Sequence, residues 1–487
     1  MLPQPTSGRD GMNHDARYQE LTASPMSRRA VLRQAAGGFG SLALAGMLAS
    51  ESRADSTDPL APRPAHFPAK AKNVIFMFST GGASHVDTFD YKPSLFANHG
   101  KSISIDNWQG KTGDFKRYLK RPDWEFRERG ECGTPVSELF PHLGEVIDEV
   151  CVLNCVEGDH TGHDKATMGM HTGSFNFARP SIGSWVSYGL GTENANLPSF
   201  MVLAPSAPYA GAQVWGSDFL PGCHQGTHVK PGPDPLPNLR RLSASDQLQR
   251  LEMGLRGRLN EDHLRERPQD AALEARIKSF ETAFGMQREA PEAFDLSQES
   301  EATLQAYGLR PGDHSGFGWQ CLVTRRLIER GVRFVELIDA GSGSGENGDS
   351  HGDMKAHGPL AKAIDQPQAA LIADLKQRGL LDSTLLVWTT EFGRTPYNTS
   401  ADAKGREHHH QVFSSWLAGG GVRGGLVHGS SDEHGIGPAE GRVHVHDLHA
   451  TILHLLGLDH ERLTFRHAGR DYRLTDVAGK VVTPILA

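Results

Sequence analysis

Residues 379–396, GLLDSTLLVWTTEFGRTP, constrain the fold more than any other stretch of the chain. Leu385, Leu386 and Val387, followed by Trp388 and bracketed by threonines, predict a short buried strand entered through a turn at Leu381-Asp382-Ser383. The strand ends in Thr389-Thr390-Glu391, a Gly393-Arg394-Thr395-Pro396 loop follows, and GREHHH comes at 405–410. In open α/β sheets, the loops at the carboxyl ends of strands converge on one crevice. A carboxylate, an arginine and a histidine cluster at such an end point to a metal or anion site. A surface turn with an ion pair is the plainer reading, and Glu391 by itself would satisfy it.

The pattern recurs along the chain. Residues 72–78, KNVIFMF, form a continuous apolar run suited to a central parallel strand, followed by Gly81-Gly82 and then Asp87. The glycines allow a close backbone approach or simply a tight turn. Residues 150–156 are a second strand that runs into Asp159, His160, His163 and Asp164 ahead of a helix. Two histidines and two aspartates beside a helix start can present ligands, although Asp164 or Thr161 would also serve as an ordinary cap. A third strand at 331–337 precedes a glycine-rich loop with Asp349, His351, Asp353 and His357. Asp353 and His357 would share a face if that segment were helical. Residues 359–378 form an amphipathic helix returning to the 385–387 strand, so the order is strand, helix, strand.

Between these elements the reading is coarser. Residues 135–148 are expected as a helix, and 199–203 as a strand. The Pro/Gly-rich stretch 206–235 reads as a surface excursion. Residues 239–283 are charged with helical spacing, which fits a solvated face, a lid or a dimer arm, within a helical insertion at about 239–310. At the other end, Ser27-Arg28-Arg29-Ala30-Val31-Leu32 followed by an uncharged Gly/Ala-rich run predicts a twin-arginine signal peptide over 1–54. Residues 55–71 are then a linker, and 72–487 a single domain. Signal cleavage would leave no stable membrane span and place the protein in the periplasm or outside the cell.

Two compositional facts matter here. The chain holds 25 histidines, and its net charge of -8 excludes a global basic surface for nucleic acid. Histidine ligates metals near neutral pH, so its abundance favours metal or proton chemistry. The five cysteines form no CxxC pair, and their odd number leaves at least one thiol free within a chain.

The stretch GLLDSTLLVWTTEFG resembles a sulfatase and alkaline phosphatase-like motif that reads "GLLDNTLVIFTSDHG". More closely, GGASHVDTFDYKP, DSHG, and EFGRTP followed by GRxH resemble the exported sulfatase-like proteins grouped as domain of unknown function 1501, nearly continuously from residue 72. That resemblance implies an alkaline phosphatase-like three-layer α/β sandwich with a mostly parallel sheet. It also implies metal ligation at Asp87, Asp349, His351, His357, Glu391 and His408, with His163, Asp164 and Arg394 in catalysis. Within 349–357 two resemblances compete, DSHG selecting Asp349 and His351, and Asp353-x-x-x-His357, similar to the DxxxH metal motif of alkaline phosphatases, selecting Asp353 and His357. The departures are specific. Ser79 or Thr80 stands where the superfamily's first strand ends in aspartate, and Glu391-Phe392 replaces Asp-His. His163 occupies the place of the sulfatase cysteine, so no formylglycine precursor exists there.

Mixed histidine and carboxylate ligands suit Zn²⁺, with Ca²⁺ or Mg²⁺ left open. The expectation is a metal-dependent hydrolase acting on a small-molecule or glycan phosphate or sulfate ester. Its alternative is an inactive scaffold that binds anionic glycans.

Overall fold

Alternation along the central strands divides the core into two apolar layers. In a computed structural model that describes residues 58–108, 111–239, 245–267, 270–339 and 347–487, β1 (Asn73–Phe78) is buried at every position. Its Ile75 and Met77 join one cluster, while Val74, Phe76 and Phe78 join the other. This is what a pleat with period two requires of a strand covered on both faces.

The nine-stranded sheet is built from β1, β2 (Val150–Glu157), β3 (Phe200–Leu203), β4 (Thr227–Val229), β5 (Phe334–Ile338), β6 (Thr384–Thr389), β7 (Phe413–Ala418), β8 (Leu426–His428) and β9 (Val443–His444). Their order is β8-β2-β7-β6-β1-β5-β3-β4, with β9 beside β2. All pairings are parallel except those of β7, which runs against both β6 and β2.

Helices cover both faces. α1 (His163–Thr172), α2 (Ile182–Leu190) and α7 (Val445–Leu455) contribute Met170, Trp185 and Leu448 to one layer. α4 (Ala271–Phe294), α5 (Gly316–Glu329) and α6 (His357–Gln377) contribute Met286, Leu322 and Leu371 to the other. The result is a mostly parallel three-layer α/β/α fold. A further helix, α3 (Asp246–Glu266), precedes α4.

Three expectations are corrected. Residues 135–148 do not form one helix. Thr134–Ser137 pairs with Phe126–Arg129 as a hairpin, and only Leu143–Glu149 turns as a 3₁₀ helix. Pro141 lacks an N–H and would clash inside a helix, so the segment breaks there. The 206–235 excursion returns to supply β4 at the sheet edge. Residues 58–71 pack on the domain, with Leu60 buried and the Arg63 amide donating to the Leu190 carbonyl at 3.0 Å. The twin-arginine segment lies outside the described residues. Among those described, no helix is long and apolar enough to cross a membrane.

Several histidines serve the core. His449 on α7 is fully buried, and its Nε2 donates to the Met170 carbonyl at 2.6 Å. Burial, aided by nearby His446, pushes its pKa from the ordinary 6.5 down to about 3. His224, hydrogen-bonded to Ser187, is likewise pushed down to about 3 by burial. A base depressed in the folded state is protonated first in the unfolded chain. Stability is therefore full above about 6.5 and falls as pH drops toward 3. Each such group steepens that loss by up to about 1.4 kcal/mol per pH unit. Denaturant titrations from pH 7 to 5 should show falling stability, with a shallower slope in His449→Gln, which keeps a donor for Met170.

A candidate metal centre at the strand ends

The site is assembled from loops that leave the carboxyl ends of the central strands. After β1 the chain turns through Gly81 and Gly82, both at positive φ (98° and 82°). A Cβ on Gly81 would lie 2.5 Å from the Gly348 nitrogen and 2.6 Å from that of Asp349, so only glycine lets the two loops meet. After β6, Thr390 and Glu391 turn inward. After β2 the chain enters α1, which begins at His163. The short pairing of Gly393–Arg394 with His408–His409 brings the histidine cluster back over Glu391.

Four side chains converge. Asp349 Oδ1 lies 3.3 Å from His163 Nε2, 3.2 Å from His408 Nε2 and 3.0 Å from His351 Nε2. The other nitrogen of each ring points away, to a group that can only accept. His163 Nδ1 is 2.8 Å from Glu391 Oε1, His408 Nδ1 is 2.7 Å from the Thr161 carbonyl, and His351 Nδ1 is 3.1 Å from Glu407 Oε2. Those partners put the N–H on Nδ1 in all three rings. In its neutral form each ring would aim an Nε2 lone pair at the carboxylate. His351 and His408 bring theirs within 2.8 Å of one another, and His163 Nε2 has no hydrogen-bond partner although buried.

Acceptors facing acceptors call for positive charge between them. A tetrahedral ion with bonds of about 2.0–2.1 Å would space its ligand atoms at roughly 3.3 Å, close to the Asp349 separations. His163, Asp349 and His408 form the group within ligating range of one another, and His351 Nε2 lies 3.0 Å from Asp349 Oδ1 on the solvent side. The residues fit a divalent metal. Carboxylates and carbonyls behind the rings are the usual device for fixing a metal-binding tautomer.

The electrostatics respond to the same carboxylates. Burial pushes His163 down, but hydrogen bonds and charge from Asp349 and Glu391 outweigh it and hold its pKa above the usual value, so without an ion this ring favours the protonated form that donates to both. Burial would raise the Asp349 carboxyl, yet His163, His408 and Arg394 together hold it well below the carboxylate range. His408 is pushed down by burial and stays neutral, as a ligand must.

The remaining expected residues lie around this group. Glu391 stands behind His163, held by the Gly81 amide at 2.7 Å and the Thr390 hydroxyl at 3.0 Å. Asp87 is fully buried and bonded to Arg406 Nε at 2.7 Å and to the Ser84 hydroxyl at 2.5 Å, apart from the cluster. His357 caps the gap between loops, accepting from the Ser84 amide at 3.3 Å and pairing with the Ser350 hydroxyl at 3.0 Å; burial lowers its pKa to about 4. Asp164 is exposed in the first turn of α1. Arg394 does not present a free guanidinium to an anion. Fully buried, it donates to the carbonyls of Gly81, Gly82, Gly348 and Arg406 and to Asp349 at 2.7 Å.

Some neighbours carried no motif. Tyr209 stacks on His163 with ring centroids 4.1 Å apart, and its hydroxyl accepts from Asn347. Asp339, at the end of β5, accepts from the Thr80 amide and hydroxyl, and burial pushes it up to about 6. Only Glu407 had a legible signal, as a carboxylate within the GREHHH run.

Fold and site together describe an α/β protein with a candidate metal site at the strand ends. The chain belongs to the family described as Protein of unknown function (DUF1501), whose model matches residues 71–486. No curated protein matches it. Solved structures similar to it include PsFucS1 sulfatase from Pseudoalteromonas sp., at 12% identity over 86% of this chain and 72% of that one, with a TM-score of 0.36. Others are the phosphonate monoester hydrolase SpPMH from Silicibacter pomeroyi (12%, 85% and 76%, TM-score 0.35) and the lipoteichoic acid synthase LtaP from Listeria monocytogenes (10%, 87% and 79%, TM-score 0.33). The family match, not these distant structures, places the chain.

The Asp87–Arg406 contact predicts a stability phenotype. Asp87→Ala leaves a guanidinium buried without its counter-charge, which costs roughly 3–5 kcal/mol. Chemical denaturation should show that loss at neutral pH.

Proposed function

We propose that this protein is an exported, metal-dependent hydrolase of phosphate or sulfate esters. The observation that carries the reading is the set of three imidazole Nε2 atoms facing one Asp349 oxygen, each ring fixed through Nδ1. His163, His351, His408 and Asp349 would hold the ion, and three nitrogen donors favour Zn²⁺ over Ca²⁺ or Mg²⁺. Such an ion polarises a phosphoryl or sulfuryl oxygen and lowers the pKa of water to about 7. The ester class rests on the resemblance of residues 379–393 to the sulfatase motif, and export on the twin-arginine signal.

The protein's own groups have distinct tasks in this scheme. Glu391 takes the Nδ1 proton of His163 in a hydrogen bond and keeps that ring aimed at the centre. His163 Nδ1 is held by Glu391 and its buried Nε2 faces Asp349, which places His163 as a ligand and not as the attacking nucleophile. Arg394 fixes Asp349 and is a positioning residue. Asp164, exposed beside this helix start, is the remaining acid–base candidate.

The same engagement of His163, together with the commitment of both buried arginines, favours a second reading. In it the scaffold retains the metal and binds anionic glycans without turnover.

Metal analysis of tag-free protein matured in the cytoplasm should give stoichiometric divalent ion. Loss in His408→Ala, and affinity 10–100-fold weaker in Glu391→Gln, are expected. Loaded protein should then cleave aryl phosphate or sulfate esters. Metal without turnover, combined with glycan retention, selects the scaffold. A metal-free wild type rejects both readings.

A further inference from the structure

The loop that leaves the carboxyl end of β3 brings to the site a side chain that no motif marks. It runs through Pro205 and Pro208 into a tight turn, in which the Gly211 amide donates to the Pro208 carbonyl at 3.0 Å. Ala210, third in that turn, has φ 67° and ψ -2°, a position that usually takes glycine. An alanine held there is strained, and such strain persists where the surrounding contacts fix it. Here the contacts are those of Tyr209. Its ring lies on His163 with centroids 4.1 Å apart and planes 15° from parallel. Its hydroxyl accepts from Asn347 Nδ2 at 3.3 Å, and Asn347 Oδ1 accepts in turn from the Asp349 amide at 3.1 Å. One side chain thus covers His163 with its face and bonds with its hydroxyl to the loop that carries Asp349.

The hydroxyl only accepts in these contacts. Its own O–H has no acceptor among the described residues, and Tyr209 is half-buried, not enclosed. A phenol keeps its proton at neutral pH, so it remains a donor. The buried arginines nearby are committed: Arg394 to carbonyls and Asp349, Arg406 to carbonyls and Asp87. An oxyanion entering here would therefore meet a donor at Tyr209 where no guanidinium is free. We propose that Tyr209 is a substrate-contacting residue, whose hydroxyl donates to a non-bridging oxygen of the bound phosphate or sulfate group while its ring holds His163 in place. The proposal rests on the reading of the site as a metal centre for such esters, and adds to it a group that recognises the tetrahedral oxyanion. The strained turn at Ala210 is the device that fixes the hydroxyl against the Asp349 loop.

Calorimetric titration of the zinc-loaded protein with inorganic phosphate, and separately with sulfate, tests the contact. Tyr209→Phe keeps the ring on His163. It should hold zinc as the wild type does and bind the preferred oxyanion roughly 10–100-fold more weakly. Exogenous imidazole, which ligates an ion without offering an oxygen, should bind both proteins alike. A crystal structure of the loaded wild type with tungstate should place Tyr209 Oη within about 2.5–3.0 Å of an anion oxygen, and it decides the matter if the variant fails to fold. Equal oxyanion affinity in Tyr209→Phe, or zinc lost along with the hydroxyl, would overturn the proposal and leave the hydrolase reading standing. Loaded wild type that binds neither oxyanion overturns it too. A zinc-free wild type instead rejects the metal reading, and this contact with it.

Discussion

The buried guanidinium of Arg394 is the interaction on which the site depends. Its N–H groups reach carbonyls on the β1 loop, the 347–349 loop and the returning 406 segment, and end on the Asp349 carboxylate. A charge removed from water must be paired and hydrogen-bonded, and this one is satisfied by joining loops that are far apart in sequence. Arg406 repeats the device one layer back, with Asp87 as its counter-ion and the Thr395 and Lys120 carbonyls as acceptors. The two arginines thus hold the loops in place, and the histidines are presented from them.

Glycine supplies the complement to this packing. Gly81 lets the β1 loop touch Asp349, and Gly405 lies so close to the His351 carbonyl that a Cβ there would sit 1.8 Å from it. The ligand loops therefore have little freedom to rearrange. Preorganisation of this kind places ligand-type atoms together at an electrostatic cost that a bound cation would relieve.

Much of the fold was legible because buried strands announce themselves. The runs at 73–78, 150–157, 334–338 and 384–389 are predominantly apolar, interrupted only by Asn154 and Glu336 in their interiors, and all are sheet strands. β7 was harder to recognise. FSSWLA mixes serines into a buried strand, and Ser414 and Ser415 are satisfied by Asn154 and Thr389, partners distant in the chain. The candidate site was legible in kind but not in detail. Histidine density located the right loops, yet nothing local distinguishes His351, aimed at Asp349, from His357 six residues on, which ties the Ser84 amide to the Ser350 hydroxyl. Likewise Asp87 and Arg394 carry the right chemistry for ligand and anion holder, and only the three-dimensional pairing shows that their bonding capacity is already engaged. Tyr209 came from a Pro/Gly-rich excursion with no periodicity to mark it.

X-ray absorption at the zinc edge of the loaded protein identifies the atoms around the ion. A nitrogen and oxygen shell at about 2.0–2.1 Å is expected, with outer-shell scattering from three imidazoles, one of them lost in His351→Ala. A shell of oxygen alone, or imidazole scattering that survives unchanged in His163, His351 and His408 variants, would contradict it.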